Sequence, residues 1–213
     1  MLSTLDYYTV EDKYSWRPFQ LAFLLMSLKS IVDTESSERD VVDLIWFPTG
    51  GGKTEAYLGL TAFTIFYRRM AYPSESGGTA VIMRYTLRLL AAQQFVRAAT
   101  LICACEAIRK DSERRKMYHE YPLGKETISI GLWIGGDHTP NKNDIAKDKL
   151  NKLKSSSDIR FGKDRYNKFQ ILKCPWCGTK MVKDIDPSTG KPIGDWGYRL
   201  KNNRYFYLCC TQE

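Results

Sequence analysis

Apolar positions along the chain fall into dense blocks set apart by polar, glycine-bearing and proline-bearing stretches. The first block, Leu21 to Leu28, follows Trp16-Arg17-Pro18-Phe19-Gln20. Pro18 suits the opening turn of a helix, so a helix is expected over residues 18–31. Residues 33–40 are polar and predict a loop. Val41 to Phe47 is apolar except for Asp43 and reads as a buried strand. Thr54 to Met70 is apolar on most faces (Ala56, Leu58, Leu60, Phe63, Ile65), as expected of a helix packed inside a layered fold. Residues 73–78 form a turn, and Thr79 to Met83 reads as a second buried strand. Helical periodicity runs from Thr86 to about Lys116. Ile128 to Ile134 reads as a third strand, closed by Gly135-Gly136. Strands alternating with helices in this way predict an α/β fold with a parallel sheet and right-handed crossovers.

The character changes after residue 138. Residues 139–168 hold nine Lys/Arg and four Asp with few apolar positions, the composition of a basic solvated linker or insertion. Residues 169–213 form a small cysteine-bearing module. The expected divisions are therefore 1–40, 41–138, 139–168 and 169–213. No internal repeat is visible.

The most specific chemical signal lies between the first strand and its helix. There Phe47-Pro48 leads into Thr49-Gly50-Gly51-Gly52-Lys53-Thr54. Consecutive glycines let backbone N–H groups converge on an anion with no side chain in the way. The helix that follows directs its positive end at the same point. Lys53 adds a mobile charge for nucleotide phosphates, and the Thr54 hydroxyl can ligate Mg²⁺. Thr49, Gly50, Gly51, Gly52, Lys53 and Thr54 are thus the predicted ATP-phosphate contacts, with Lys53 and Thr54 as the catalytic pair. Glu55 reads as a solvated first-turn acid that suits the helix dipole.

Charge adds a second element. The 213 residues carry 32 basic and 24 acidic side chains, a net +8, which suits a polyanionic partner. No stretch is long and apolar enough to span a bilayer, and no secretory leader is visible, so a cytoplasmic protein without a membrane partner is expected. In a reducing compartment, six cysteines call for metal binding or burial before disulfides.

Cys174-Pro175-Trp176-Cys177-Gly178 has the spacing that lets two thiolates meet one metal, with a glycine to relieve the turn. Cys209-Cys210 lies 32 residues further on. Zinc held by Cys174 and Cys177 together with Cys209 or Cys210 is expected, since adjacent residues rarely both reach one ion. His119 and His138 are weaker candidates for a remaining ligand. A redox Cys-x-x-Cys and plain buried thiols are the alternatives. Cys103 and Cys105 sit within a helical pattern and read as core.

The form Thr-Gly-x-Gly-Lys-Thr is typical of superfamily-2 helicases and related translocases. Trp16 to Phe23, Trp46 to Leu60, Met83 to Leu90 and Gly131 to Gly136, in that order, resemble the large helicase subunit of the DISARM anti-phage defence system. Other large bacterial defence helicases are less closely similar. The resemblance implies an incomplete first motor domain, a RecA-like P-loop parallel sheet, beside a small zinc-ribbon-like module. It implies an ATP-driven DNA motor that works with a partner subunit of the defence system. By analogy with such helicases, Gln20 contacts adenine, and Arg84, Thr86 and Arg88 grip a DNA phosphate, with Gln93 or Gln94 bracing the loop. Gly135-Gly136 is a further backbone approach point.

Asp137 is a poor stand-in for the missing acidic motif, since two glycines separate it from the strand and no Glu follows. No Asp-Glu-x-His or Asp-Glu-x-Asp occurs in the chain. The chain is therefore expected to be an N-terminal portion, inactive alone. The alternative is a non-enzymatic, basic, zinc-ribbon module for nucleic acid that retains a vestigial phosphate loop. A nucleotide kinase fits the loop and Gln20 less well.

Overall fold

A computed structural model describes residues 15–48, 50–86, 88–111, 123–136, 139–155, 169–184, 186, 188–191, 193–202 and 205–212. Thr49, His119, Asp137 and His138 lie outside the described residues. The chain divides into two units, Met1–Arg84 with Leu101–Ile130 and Tyr85–Thr100 with Gly131–Glu213.

In the first unit, α1 (Pro18–Val32) begins where Pro18 fixes the backbone and Arg17 caps the helix. The Gln20 side chain closes this cap by accepting from the Arg17 N–H at 2.8 Å. A short 3₁₀ turn, Ser37–Asp40, follows, capped by the Ser36 hydroxyl. Helix α2 (Lys53–Ala71) starts after Gly52, whose φ of 93° is a left-handed conformation that glycine adopts without penalty. Trp16 lies over Gly59, where a Cβ would stand 2.6 Å from the indole ring. Phe23 meets Tyr57 edge to face at 6.0 Å, joining α1 to α2. Ile65, Ile102, Cys105 and Ile128 form the core of this unit, with Ala62, Phe66, Ala80 and Leu101 packed against them.

Two buried arginines fix the backbone beside that core. Arg69 donates to the carbonyls of Leu123 and Glu126, both at 2.7 Å. Arg109 donates to those of Gly124 and Lys125 and pairs with Glu106 at 2.6 Å. Glu106 also accepts from the Ile128 N–H at 2.9 Å. These contacts satisfy carbonyls that no sheet or helix satisfies.

Helix α3 (Arg88–Lys110) contributes its first half to the second unit and its second half to the first. In the second unit, α4 (Asn143–Ser155) packs against a hairpin of β1 (Tyr198–Lys201) and β2 (Tyr205–Leu208). The strands are antiparallel, with Tyr198 opposite Leu208, Arg199 opposite Tyr207, Leu200 opposite Phe206 and Lys201 opposite Tyr205. Leu150, Leu153, Phe169, Cys174, Met181, Trp196 and Tyr198 form its core. The stretch read as solvated linker therefore holds a helix that buries Ala146, Leu150 and Leu153 at helical spacing.

The expected α/β architecture is not what the chain adopts. The described residues are mostly helical, and their one sheet is the two-stranded antiparallel hairpin. The RecA-like parallel sheet is absent among them. Residues 41–47, 79–83 and 128–134, read as its strands, join no ladder. Their apolar side chains are largely uncovered: Val42 is 92% exposed, Leu44 86%, Trp46 88% and Trp133 97%. Hydrophobic continuity reports a preference for burial. It does not supply the neighbouring backbone that a strand needs for its hydrogen bonds.

Candidate functional site

The glycine loop is held from the outside by α1. Arg17 Nη1 donates to the Gly51 carbonyl at 2.9 Å, and Gln20 Nε2 donates to the Gly52 carbonyl at 2.8 Å. The Gly51 N–H closes the bend onto the Pro48 carbonyl at 3.1 Å. Phe19 and Phe47 stack with ring centroids 4.0 Å apart and fix the approach to the bend. The glycines are required by geometry. Gly50 has φ of 81°, a Cβ on Gly51 would stand 2.5 Å from the Phe47 ring, and one on Gly52 would stand 2.6 Å from Gln20 Nε2.

The Lys53 ammonium folds back onto its own loop and donates to the carbonyls of Phe47 and Pro48. Two carbonyl dipoles are a modest partner for an ammonium, and a phosphate oxyanion would replace them with a charge-assisted contact. Thr54 is half-buried in the first turn of α2.

Gln20 is 4% exposed and its amide is engaged on both sides, by Arg17 N–H and the Gly52 carbonyl. The structure thus places this residue against the loop backbone. Arg17 was not singled out from the sequence. Its signal was the Arg17-x-x-Gln20 spacing, in which the side chain at the third helical position reaches back to the cap.

The residues expected to touch DNA are partly described. Arg84 is exposed and closes a segment of the first unit, and Thr86 is exposed in a bend that opens the second. Arg88 is the first residue of α3. Gln94 Oε1 is buried with no hydrogen-bond partner among the described residues.

The cysteine turn forms a second cluster. The Cys174 N–H donates to the Thr179 carbonyl at 2.8 Å, and the Gly178 N–H donates to the Cys174 carbonyl at 2.9 Å. Gly178, at φ of 74°, makes that reversal possible. Thr100 Oγ1 on α3 donates to the Pro175 carbonyl at 3.1 Å and steadies the turn. The hairpin then delivers Cys210, whose Sγ lies 3.4 Å from that of Cys177. The sulfurs of Cys174, Cys177 and Cys210 all fall within 4.8 Å of one another, a spacing that one tetrahedral metal ion can bridge.

Cys209 is not part of this set. Its thiol is directed to the Cys210 carbonyl at 3.3 Å. Adjacent residues rarely both face one point, and the chain leaving β2 brings Cys210 to the cluster. All six cysteines are free thiols.

Thiol acidity follows from the same geometry. Burial acts to raise Cys177, but hydrogen bonding to the Thr179 hydroxyl and N–H, and to Cys210 and Cys174, outweighs it and lowers the thiol to about 7. Burial, together with the neighbouring sulfurs, raises Cys210 to about 11. One thiolate in the cluster therefore opposes a second, and a divalent cation would relieve that opposition. Cys105 is different: burial pushes it up to about 11, which marks an inert core thiol.

The chain thus combines a helical unit opened by a glycine-lysine loop with a cysteine-turn unit suited to a structural metal. No helix of the described residues is long and apolar enough to cross a membrane. Over 188 residues, 85% of its length, the chain is 40% identical to the DISARM protein DrmA of Bacillus paralicheniformis (strain ATCC 9945a / NCIMB 11709 / CD-2). The match covers 16% of that protein, so the chain spans only a small part of the length of this curated relative. No family model and no solved structure matches the chain.

Proposed function

We propose that the chain is a nucleotide-binding part of an ATP-driven, DNA-directed helicase that acts in the cytoplasm in bacterial anti-phage defence. The observation that carries this reading is the loop Phe47 to Thr54: left-handed glycines at the mouth of α2, braced by Arg17 and Gln20, with Lys53 on the loop itself. The likeness to a DISARM protein supports the defence context and implies partner subunits of that system. Backbone N–H groups of Gly50, Gly52, Lys53 and Thr54, with the Lys53 ammonium, would hold the ATP phosphates around the bend that the Gly51 N–H closes, and Thr54 would ligate Mg²⁺. Bound ATP would supply the phosphoryl group whose hydrolysis drives the motor. Arg84, Thr86 and Arg88 would hold a DNA phosphate. Cys174, Cys177 and Cys210 would hold zinc and fix the second unit.

The test is equilibrium binding of a fluorescent ATP analogue to the wild-type chain and to Lys53→Ala. A charge-assisted hydrogen bond is worth about 1.5–3 kcal/mol, so the variant should lose at least about tenfold in affinity. Equal affinity in the two proteins overturns the assignment.

A further inference from the structure

The solvent face of the β1–β2 hairpin has a chemistry that the nucleotide-binding reading does not use. Strand alternation places Tyr198, Leu200, Phe206 and Leu208 on one face and Arg199, Lys201 and Tyr207 on the other. In the first set Tyr198 belongs to the core and Phe206 packs against it, with Phe206 stacked on Phe169 and Tyr198 tilted against the same ring. The second set brings two cations beside a tyrosine, with Arg199 directly opposite Tyr207.

Beside this face, between α4 and the hairpin, lies a cleft of about 460 Å³. Arg199 and Tyr207 line it together with Lys154, Trp196 and Asp195. Tyr207 is 40% exposed, so part of its ring is open to a stacking partner. Arg199 is anchored, its Nε donating to the Trp196 carbonyl at 3.1 Å, which leaves the outer nitrogens to face a ligand. Lys154 Nζ stands 5.6 Å from the Trp196 ring centroid. The buried Trp196 indole N–H finds no acceptor among the described residues. Among the described residues, Asp195 is the acid that lines the cleft, exposed and 3.7 Å from Arg199, a pairing that water weakens.

A purely solvating face needs cations but no open ring and no cleft. Together they match a ligand that is flat and polyanionic. We propose that this face binds single-stranded nucleic acid, with one base stacked on Tyr207 and the backbone phosphates on Arg199, Lys201 and Lys154. A duplex hides its bases in the stack and cannot offer one to Tyr207. Asp195 competes with phosphate for Arg199 and tempers the affinity.

The experiment is fluorescence anisotropy with a labelled oligothymidylate of roughly 12 nucleotides, within the span that such surfaces cover. It uses the 213-residue chain without nucleotide, so failure of the phosphate loop to bind ATP leaves the result untouched. Arg84, Thr86 and Arg88 stay intact in every variant and contribute equally. Tyr207→Ala and Arg199→Ala should each weaken binding about tenfold, and Arg199→Ala should also reduce the slope of log affinity against log salt by about one. Tyr207→Phe keeps the ring and should bind as wild type. Asp195→Asn should bind several-fold more tightly. Near-ultraviolet dichroism checks that Trp196 keeps its packing. Unchanged affinity in both alanine variants overturns the proposal, as does a duplex of the same length bound as tightly with the same sensitivity to Tyr207→Ala. Should the alanine variants unfold, Asp195→Asn decides: tightening supports the site, and no change overturns it.

Discussion

The Gln20 side-chain amide donates to the Gly52 carbonyl at 2.8 Å and accepts from the Arg17 N–H at 2.8 Å, tying the first turn of α1 to the residue before α2. Gln20 is buried, so truncation would empty its site and remove the partner of the Arg17 N–H and of the Gly52 carbonyl. Gln20→Ala is expected to cost about 1–3 kcal/mol of stability, read as a lowered urea midpoint. Gln20→Glu should be worse than its similar size suggests, because a carboxylate cannot donate to the Gly52 carbonyl. If Gln20 acts only on the loop, both variants should weaken nucleotide binding without changing the preference for adenine over guanine. Loss of that preference would instead show direct contact with the base.

The pairing of Glu106 with Arg109 makes the first unit sensitive to acid. The Arg109 hydrogen bond, aided by the Ile128 N–H and by Lys110 against the opposing effect of burial, lowers the Glu106 carboxyl to about 2. A carboxyl depressed on folding stabilises the protein above its ordinary value of 4.5. That contribution disappears as the pH falls from there toward about 2. Stability should therefore decline through this range. Glu106→Gln should cost about 2 kcal/mol at neutral pH and flatten the decline, measured by urea denaturation from pH 7 to below pH 3. An equally steep decline in the variant would place the acid sensitivity elsewhere.

Zinc binding separates the two adjacent cysteines. Cys174→Ser, Cys177→Ser and Cys210→Ser each remove one of three clustered sulfurs. Each should lower zinc affinity by more than the roughly 10–100-fold that follows loss of a group merely supporting a ligand. Cys209→Ser should retain zinc, because that thiol is directed to a carbonyl outside the cluster. Competition with a chromogenic chelator reads all four. Loss of metal in Cys209→Ser with retention in Cys210→Ser would reverse the assignment.

Local signals in the sequence translated well, and long-range ones did not. Pro18 marked the start of α1, and Gly52-Lys53 marked the start of α2, because both rest on backbone chemistry confined to a few residues. The Cys174-x-x-Cys177-Gly178 turn was legible for the same reason. The three apolar runs were read as strands of one sheet. Sheet formation depends on partners distant in sequence, and Val42, Leu44 and Trp46 show that apolar character alone does not provide them. Helix α4 was hidden by its lysines, although Ala146, Leu150 and Leu153 keep helical spacing. The choice of Cys210 over Cys209 was beyond spacing, since it follows from which way β2 turns the chain.

Gly197 fixes the distance between the two halves of the cysteine cluster. Its N–H donates to the Met181 carbonyl at 2.9 Å, on the segment that leaves the Cys174 turn. Its carbonyl accepts from the Cys209 N–H at 2.9 Å, one residue before Cys210. The backbone of Gly197 therefore spans from one ligand-bearing segment to the other. A Cβ there would stand 2.4 Å from Met181 Cε, closer than real Cβ atoms pack, and 3.0 Å from the Cys209 carbonyl, tighter than nearly all real Cβ contacts. The Met181 side chain can swing aside, but the Cys209 backbone cannot move without carrying Cys210 away from Cys177. Gly197→Ala should thus cost about 1–3 kcal/mol by overpacking and lower zinc affinity, although no sulfur is removed. Gly197→Ala with Met181→Ala opens room for the methyl group on one side only. It should leave zinc affinity impaired if the backbone contact is the cause, and full recovery would trace the effect to Met181 alone.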